Sequence, residues 1–311
     1  MSLATKKKKK SFDYSETVQS RSPVGRVVGY ISLGVILFIT LFPIYWMART
    51  AFSNNRAISL DPVSPFPVGF TLGPFERVFG LATTQEALLE GGSGAAISFG
   101  LYFMNSLIVS TVVTFSQVAF SAAAAYAFSI LQWKGRETVF AVFLIALTVP
   151  GIFLVLPNYL LIRELGLLNS LLGIMLPNLL MAPFAIFFLR QFFISTNLSI
   201  VEAAIIDGAS HFRIFRKIVV PLAWPQIITL FILQFITSWN DYLWPFYAGS
   251  GKEESKLLTV GLAIFRSQTP QGSPDWAGLM AGALIAALPM VLLMIVLGRK
   301  IVGSIQASGV K

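Results

Sequence analysis

Val27-Val28-Gly29-Tyr30-Ile31-Ser32-Leu33-Gly34-Val35-Ile36-Leu37-Phe38-Ile39-Thr40-Leu41-Phe42-Pro43-Ile44-Tyr45-Trp46-Met47-Ala48 contains no Asp, Glu, Lys or Arg. Coiled as an α-helix it is roughly 33 Å long, enough to cross the ~30 Å hydrocarbon core of a bilayer. A strand of a membrane barrel would alternate apolar and polar residues over about ten positions. This stretch is continuously apolar, so it is a helix. Five more charge-free stretches follow: Gly91–Trp133, Thr138–Ile162, Leu165–Leu189, Ile218–Asn240 and Trp276–Gly298. Together they make up most of the 311 residues and leave little room for a soluble domain. Only 12% of residues are charged and 55% are hydrophobic, against roughly 25% charged in a soluble globular chain.

Gly91–Trp133 is long enough for two spans. It opens with Gly91-Gly92-Ser93-Gly94, which predicts loop. Its strongly apolar part begins near Leu101, leaving about 30 residues for one long or tilted helix. The expected fold is all-α and integral to the membrane, with six transmembrane helices at about 27–48, 101–131, 138–162, 168–190, 222–247 and 277–298. They form a spanning domain over 27–301. A basic tail, 1–26, precedes it and a short tail, 299–311, ends the chain. Val27–Ala48 comes too late and is too long for a cleaved signal peptide.

Threading six spans from an internal N-terminus sorts the basic residues. Inside fall Lys6–Lys10, Arg21, Arg26, Lys134, Arg136, Arg190, Arg213, Arg216, Lys217, Arg299, Lys300 and Lys311, sixteen of the 23. Outside fall Arg49, Arg56, Arg77, Arg163, Lys252, Lys256 and Arg266. Lys and Arg concentrate in cytoplasmic loops, so both termini are placed inside, in a bacterial or archaeal cytoplasmic membrane. The net charge of +9 then reflects topology and contact with the lipid bilayer. The charges are spread over separate loops, which disfavours a nucleic-acid partner. Cysteine is absent and His211 is the single histidine, which excludes disulfides, thiolate metal sites and a cysteine nucleophile.

Two loops stand out. Ser53–Gly100 is long, external and rich in Pro and Gly; it caps the outer mouth or meets an external partner. The other is the internal stretch 195–221. In it Ser199 and Glu202 have the spacing of a capping box. Gly208 can end that helix, and a second short helix, Ala209–Lys217, holds Arg213, Arg216 and Lys217. Pro221 falls near the first turn of the next span. Two short helices with a bend suit three roles: an interfacial connector, a DNA-binding helix-turn-helix, or a docking surface for a cytoplasmic protein. Anchoring by spans on both sides argues against the second.

The spacing Glu202-Ala203-Ala204, three residues, Gly208, nine residues, Ile218, one residue, Val220-Pro221 resembles the EAA loop of permeases in binding-protein-dependent ATP-binding-cassette (ABC) importers. Asp207-Gly208-Ala209 is also in that style, and Val220 stands where that family usually has Leu. The resemblance implies the type I importer permease architecture and coupling helices that seat in a separate ATPase subunit. Glu202 would accept hydrogen bonds or an ion pair from the ATPase. Ala203 and Ala204 would let the surfaces approach closely, and Gly208 would make the bend. Asp207, Ala209, Arg213, Ile218 and Pro221 belong to the same coupling segment. Three further stretches, Tyr102–Leu107, Trp239-Asn240-Asp241-Tyr242-Leu243-Trp244-Pro245 and Leu297–Lys311, resemble the carbohydrate-uptake permeases, on the side of the six-span maltose-transporter subunit. A di- or oligosaccharide is then the expected cargo.

The chain has no G-x-x-x-x-G-K-[ST] phosphate loop. It is expected to bind no cofactor and to be no enzyme, with ATP and Mg on a partner ATPase dimer. The other implied partners are a second homologous permease and an extracytoplasmic sugar-binding protein. Candidates for the substrate path or gate are Asn105, Asn178, Asn240, Asp241 and Tyr242, and Asn158 is a further amide near the membrane. Each amide serves equally to bond a neighbouring helix, and Asp241 serves equally as a helix-end cap. A membrane enzyme would want clustered acid, base or metal-ligand residues near a span end, which a single His and no Cys disfavour; two further rivals are a permease of this architecture for another solute, and an ion-coupled secondary transporter. The latter usually shows charged or broken mid-membrane helices and internal repeats.

Overall fold

Where the apolar stretches become helices is decided largely by proline and glycine. The computed structural model describes residues 23–95, 97–195, 198–267 and 273–308. Lys6–Lys10, Arg21, Thr196, Asn197 and Lys311 lie outside the described residues. The regular secondary structure among those described is helical, with no strand. In chain order the helices are α1 (Pro23–Ala51), α2 (Asn55–Leu60), α3 (Gly73–Val78), α4 (Thr84–Leu89), α5 (Phe99–Ser129), α6 (Arg136–Ala146), α7 (Ile152–Glu164), α8 (Leu171–Met175), α9 (Pro183–Ser195), α10 (Leu198–Ile206), α11 (His211–Ile214), α12 (Val220–Leu222), α13 (Trp224–Trp239), α14 (Leu243–Gly249), α15 (Leu258–Leu262), α16 (Ile264–Ser267) and α17 (Trp276–Ser308).

Among the described residues three helices are long and apolar enough to cross a membrane: Val24–Ala51, Phe99–Ser129 and Trp276–Gly298. Two bent pairs raise the number to five at most: Leu171–Asn178 with Pro183–Ser195, at 45°, and His211–Leu222 with Trp224–Trp239, at 79°. The expected span at 138–162 is divided into α6 and α7, with Thr148-Val149-Pro150-Gly151 between them. Pro150 lacks an N–H and disfavours helix in the residue before it. The stretch at 168–190 breaks before Pro183, and that at 222–247 breaks at Asn240–Tyr242.

Each break frees backbone groups that lipid cannot satisfy. The small polar residues of α5 meet several of them. Ser121 Oγ accepts from Ala182 N at 3.1 Å, and the Ser116 hydroxyl donates to the Leu179 carbonyl. Both fall at the break before α9. Ser106 Oγ accepts from Leu258 N at 2.8 Å, and Asn105 Nδ2 donates to the carbonyls of Glu254 and Lys256 at 2.9 and 3.0 Å. α5 is thus the strut to which the broken segments are clipped, and it packs on α9, α13, α15 and α8. Burial agrees: 39% of its apolar window is buried, against 0% for α1 and 11% for α17. α1 packs on α17 and leaves Ile31, Phe38 and Ile39 bare, as a lipid-facing helix does. At Gly261, where α15 crosses α5, a Cβ would lie 2.2 Å from the ring of Tyr102; only glycine fits there.

Helices α2 to α4 form a cap at one end. Arg77 enters it as a buried cation and meets Asp275, just ahead of α17, at 2.9 Å. At the opposite end Arg190 of α9 grips Glu137 of α6 through both carboxylate oxygens, at 2.9 and 3.0 Å.

Candidate coupling loop and cleft

Helix α10 begins by Leu198, so Ser199 lies inside the helix rather than at its N-cap. The helix ends in a Schellman turn: Ala209 N donates to Ala204 O at 2.9 Å and Gly208 N to Ile205 O at 3.0 Å. Gly208 sits at φ +79°, a left-handed conformation that costs other L-residues about 1 kcal/mol or more. The expected helix Ala209–Lys217 instead starts at His211, because Ser210 caps it, accepting from Arg213 N. It then widens into a π-helical turn over Phe215–Val219, in which Val220 N donates to Phe215 O. Pro221 follows at once. In a regular α-helix its ring would meet the carbonyl of Lys217, and the wider turn relieves that clash. The 79° bend at Ala223 then leads into α13.

This loop has two unlike faces. Val201, Ile214 and Val219 are buried in a cluster with Ala125, Leu189 and Phe193 of α5 and α9. Tyr126 of α5 stacks edge-on with Phe215, and its hydroxyl lies 3.1 Å from His211 Nδ1. The other face is bare. Glu202, Ala203, Asp207, Gly208, Arg213 and Pro221 are exposed, and Ala204, Ala209 and Ile218 are half-buried. Ile206 is 85% exposed and Phe212 71%, one on each side of the Gly208 turn. Large apolar side chains that bare, beside charged ones and on a segment so well anchored, make this face a candidate interaction surface. Sequence inspection singled out neither Ile206 nor Phe212; their flanking of an obligatory glycine turn was the available signal.

A second feature is a cleft of roughly 430 Å³ between α5, α7, α8, α13 and α14. Its polar lining is Gln117, Asn158, Asn178, Gln234, Thr237, Ser238 and Asp241. Gln234 Nε2 donates to Gln117 Oε1 at 2.6 Å, joining α13 to α5. The Trp239–Pro245 stretch builds one wall. Trp239 is tied to α17 through Ala286 O and Trp244 to α8 through Ile174 O. Between these two struts the chain turns at Asp241, which lines the cleft. The backbone N–H groups of Trp244 and Leu243 bond to its carboxylate, and Thr259 Oγ1 donates to its carbonyl.

Of the five path candidates, Asn178 and Asp241 line this cleft and three do not. Asn105 is buried and bonded to the carbonyls before α15. Asn240 Nδ2 bonds back to Ile236 O, at the end of α13. Tyr242 lines a separate cavity with Tyr102, Lys256 and Arg266. Gln117, Gln234, Thr237 and Ser238 were missed. A glutamine inside an apolar span is the signal that could have found the first two.

The family model described as "Binding-protein-dependent transport system inner membrane component" matches residues 117–305, which takes in both the loop and most of the cleft. The inner membrane ABC transporter permease protein YcjP of Escherichia coli is 33% identical over 94% of this chain and 99% of its own length. The diacetylchitobiose uptake system permease protein DasC of Streptomyces coelicolor is likewise 33% identical over 94% of this chain and 99% of its own. A crystal structure of a bacterial ABC transporter involved in the import of the acidic polysaccharide alginate includes a chain of the same fold. Its TM-score is 0.72 at 22% identity, covering 91% of this chain and 99% of that one. The anchored loop around Gly208, the apolar helices and these likenesses agree: the chain is a multi-pass membrane protein belonging to the family of binding-protein-dependent transport permeases, the inner membrane components of ABC importers.

Proposed function

We propose that the chain forms half of the translocation path of an ATP-driven importer of di- or oligosaccharides and turns ATPase closure into alternating access. The single observation that carries the coupling role is the bare apolar tip, Ile206 and Phe212 around Gly208, on a loop whose other face is rooted among α5 and α9. In this reading a groove of the ATPase receives that tip. Glu202 and Arg213 supply charged contacts at its rim, and Ala203 and Ala204 let the backbone approach. ATP and Mg stay on the ATPase dimer. Movement of the loop passes through Tyr126, Phe215 and Val201 into α5, and α5 carries the broken segments with it as rigid bodies.

The path itself is the cleft, completed by a second permease and loaded by an extracytoplasmic sugar-binding protein. Its amides and hydroxyls suit sugar hydroxyls. The relative named for diacetylchitobiose uptake supports this cargo class. We read six crossings, the interrupted α6–α7 segment counting as one, with both termini inside. The loop ends of α5, α9 and α10 share one face of the molecule and hold Arg136, Arg190, Arg213, Arg216 and Lys217, in keeping with the positive-inside rule.

The test is purification of the tagged chain from its native cells in mild detergent, with mass identification of what accompanies it. Recovery of an ATPase and a second permease is expected, with the ATPase lost from Glu202→Lys, Gly208→Val and Phe212→Asp variants. Recovery of the chain alone or as a homo-oligomer, unaffected by these changes, overturns the reading and moves an ion-coupled transporter to the front.

A further inference from the structure

We propose that the cleft is an electrostatic filter that admits neutral and cationic solutes and turns away anionic ones, with Asp241 as its specificity-determining charge. The inference rests on the importer reading for its biological meaning, but the charge that sets the filter lies on this chain. Asp241 is the sole charged residue among the described residues that line the cleft; every other polar group there is an amide or a hydroxyl, apart from the Trp244 indole N–H. No Lys, Arg or His faces it from α5, α7, α8, α13 or α14 among the described residues. The cations Lys256 and Arg266 line a different cavity, with Tyr242, and Lys256 is already paired with Glu253 at 2.6 Å.

A cleft with low-dielectric walls and one sign of charge focuses its field on whatever enters. Apolar Val109, Val113, Ile174 and Leu257 supply those walls. A phosphate or uronate group would have to shed water beside a carboxylate, with no cation to receive it. A hydroxyl-rich neutral sugar meets acceptors and donors on Asn158, Asn178, Gln234 and Ser238, and an amino sugar gains an ion pair. Asp241 is fixed for this role. The Trp239 and Trp244 anchors hold the backbone on each side, and the N–H groups of Leu243 and Trp244 hold the carboxylate itself. The substrate is therefore assigned to the uncharged or amino-substituted saccharides rather than to phosphorylated or uronic ones.

The chain has no cysteine, which allows a direct probe. A single cysteine is introduced at Ser238 or Asn178, inside the cleft, and in a control chain at Val63, 80% exposed in the loop after α2. Permeabilised membranes of cells making the full chain with its partner subunits are treated with two methanethiosulfonates, one bearing trimethylammonium and one bearing sulfonate. The ratio of the two reaction rates at the cleft cysteine, divided by the ratio at the control, measures the local field. A cation preference is expected that falls about tenfold in Asp241→Asn, the scale of one charge several ångströms away in a partly wet site, and survives in Asp241→Glu. Should Asp241→Asn fail to fold, raising salt on the unmutated cleft must erode the preference.

Absence of a cation preference, or one untouched by Asp241→Asn and by salt, overturns the filter, and a cation supplied by the partner permease would appear as that result. A charge preference found in a chain that recovers no ATPase would instead uphold the filter and sink the importer reading.

Discussion

At the cap end an arginine and a carboxylate meet out of reach of water; at the loop end another pair meets within it. Arg77 and Asp275 have side chains 2% and 0% exposed, and every lone pair of the carboxylate is engaged: Arg77 Nε and Nη2, Ser93 N and Gly278 N all donate to it. Arg77 also holds Glu90 at 2.5 Å. Glu137, the loop-end partner of Arg190, is 62% exposed. The first arrangement fixes the cap to the start of α17 and has a single geometry. The second can open and close at little cost. If the proposed alternating access holds, the buried pair suits an end that stays fixed and the exposed pair an end that gives.

The largest expected effect breaks the cap. Asp275→Ala leaves Arg77 buried with a single remaining carboxylate, Glu90, and orphans the N–H groups of Ser93 and Gly278. Removing one partner of a buried pair costs about 3–5 kcal/mol. Fluorescence-detected size exclusion after a temperature ramp should show the variant melting far below the unmodified chain, or not folding. Arg77→Met with Asp275→Leu should recover a large part of the loss, since a buried pair is often replaceable by packed apolar groups. A single variant as stable as the parent would mean that the cap is not fixed in this way.

Next comes the loop's bare face. Phe212→Asp should leave folding untouched, because the side chain is 71% exposed, yet weaken ATPase association by about 2 kcal/mol or more, as loss of an aromatic anchor does. The check is the apparent Kd of the reconstituted complex, with Lys217→Ala as a rim comparison expected to matter less. A Phe212→Asp variant that binds normally would remove the distinction between a docking face and a merely exposed one.

A smaller effect is expected where α15 meets α5. Gly261→Ala forces a Cβ into the ring of Tyr102, and overpacking of this kind costs about 1–3 kcal/mol. Tyr102→Leu in the same chain should relieve it, and thermal melts of the two variants decide the point.

How much of this was legible beforehand follows from how each feature is encoded. The cytoplasmic-loop candidate at 198–221 is contiguous, and a backbone angle requires Gly208 at its turn, so two short helices with a bend could be read from the residues alone. The long apolar helices α1, α5 and α17 were equally plain, because the absence of charge is a local property. The breaks in the other spans were not, although Pro150 and Pro183 stood in view. A proline in an apolar run ends a helix only when neighbours satisfy the freed backbone, and at Pro183 those neighbours, Ser121 and Ser116, lie at distances of 61 and 63 residues along the chain. The cleft is harder still. Gln117 and Gln234 meet across 117 residues, and nothing local separates Asn178, which lines the cleft, from Asn105, which bonds backbone. The charges of the cap show the same limit. Arg77 and Asp275 are 198 residues apart, and neither looks unusual in its own segment.

The smallest effect sharpens the comparison between the two ends. Glu137→Gln removes the exposed half of the loop-end pair. Arg190 keeps its bond to Phe128 O at 3.0 Å and its seat 4.0 Å over the Phe140 ring, so it is not stranded by the change. Exposed ion pairs are worth about 0–1 kcal/mol and weaken with salt. The variant should therefore melt within a few degrees of the parent, and the gap should close further at high salt. Arg190→Gln should cost more than Glu137→Gln, because it removes the carbonyl bond and the ring contact along with the ion pair. If Glu137→Gln proved as damaging as Asp275→Ala, the loop end would be as rigidly fastened as the cap. The movement needed for alternating access would then have to be sought elsewhere, with the bend at Ala223 the next place to look.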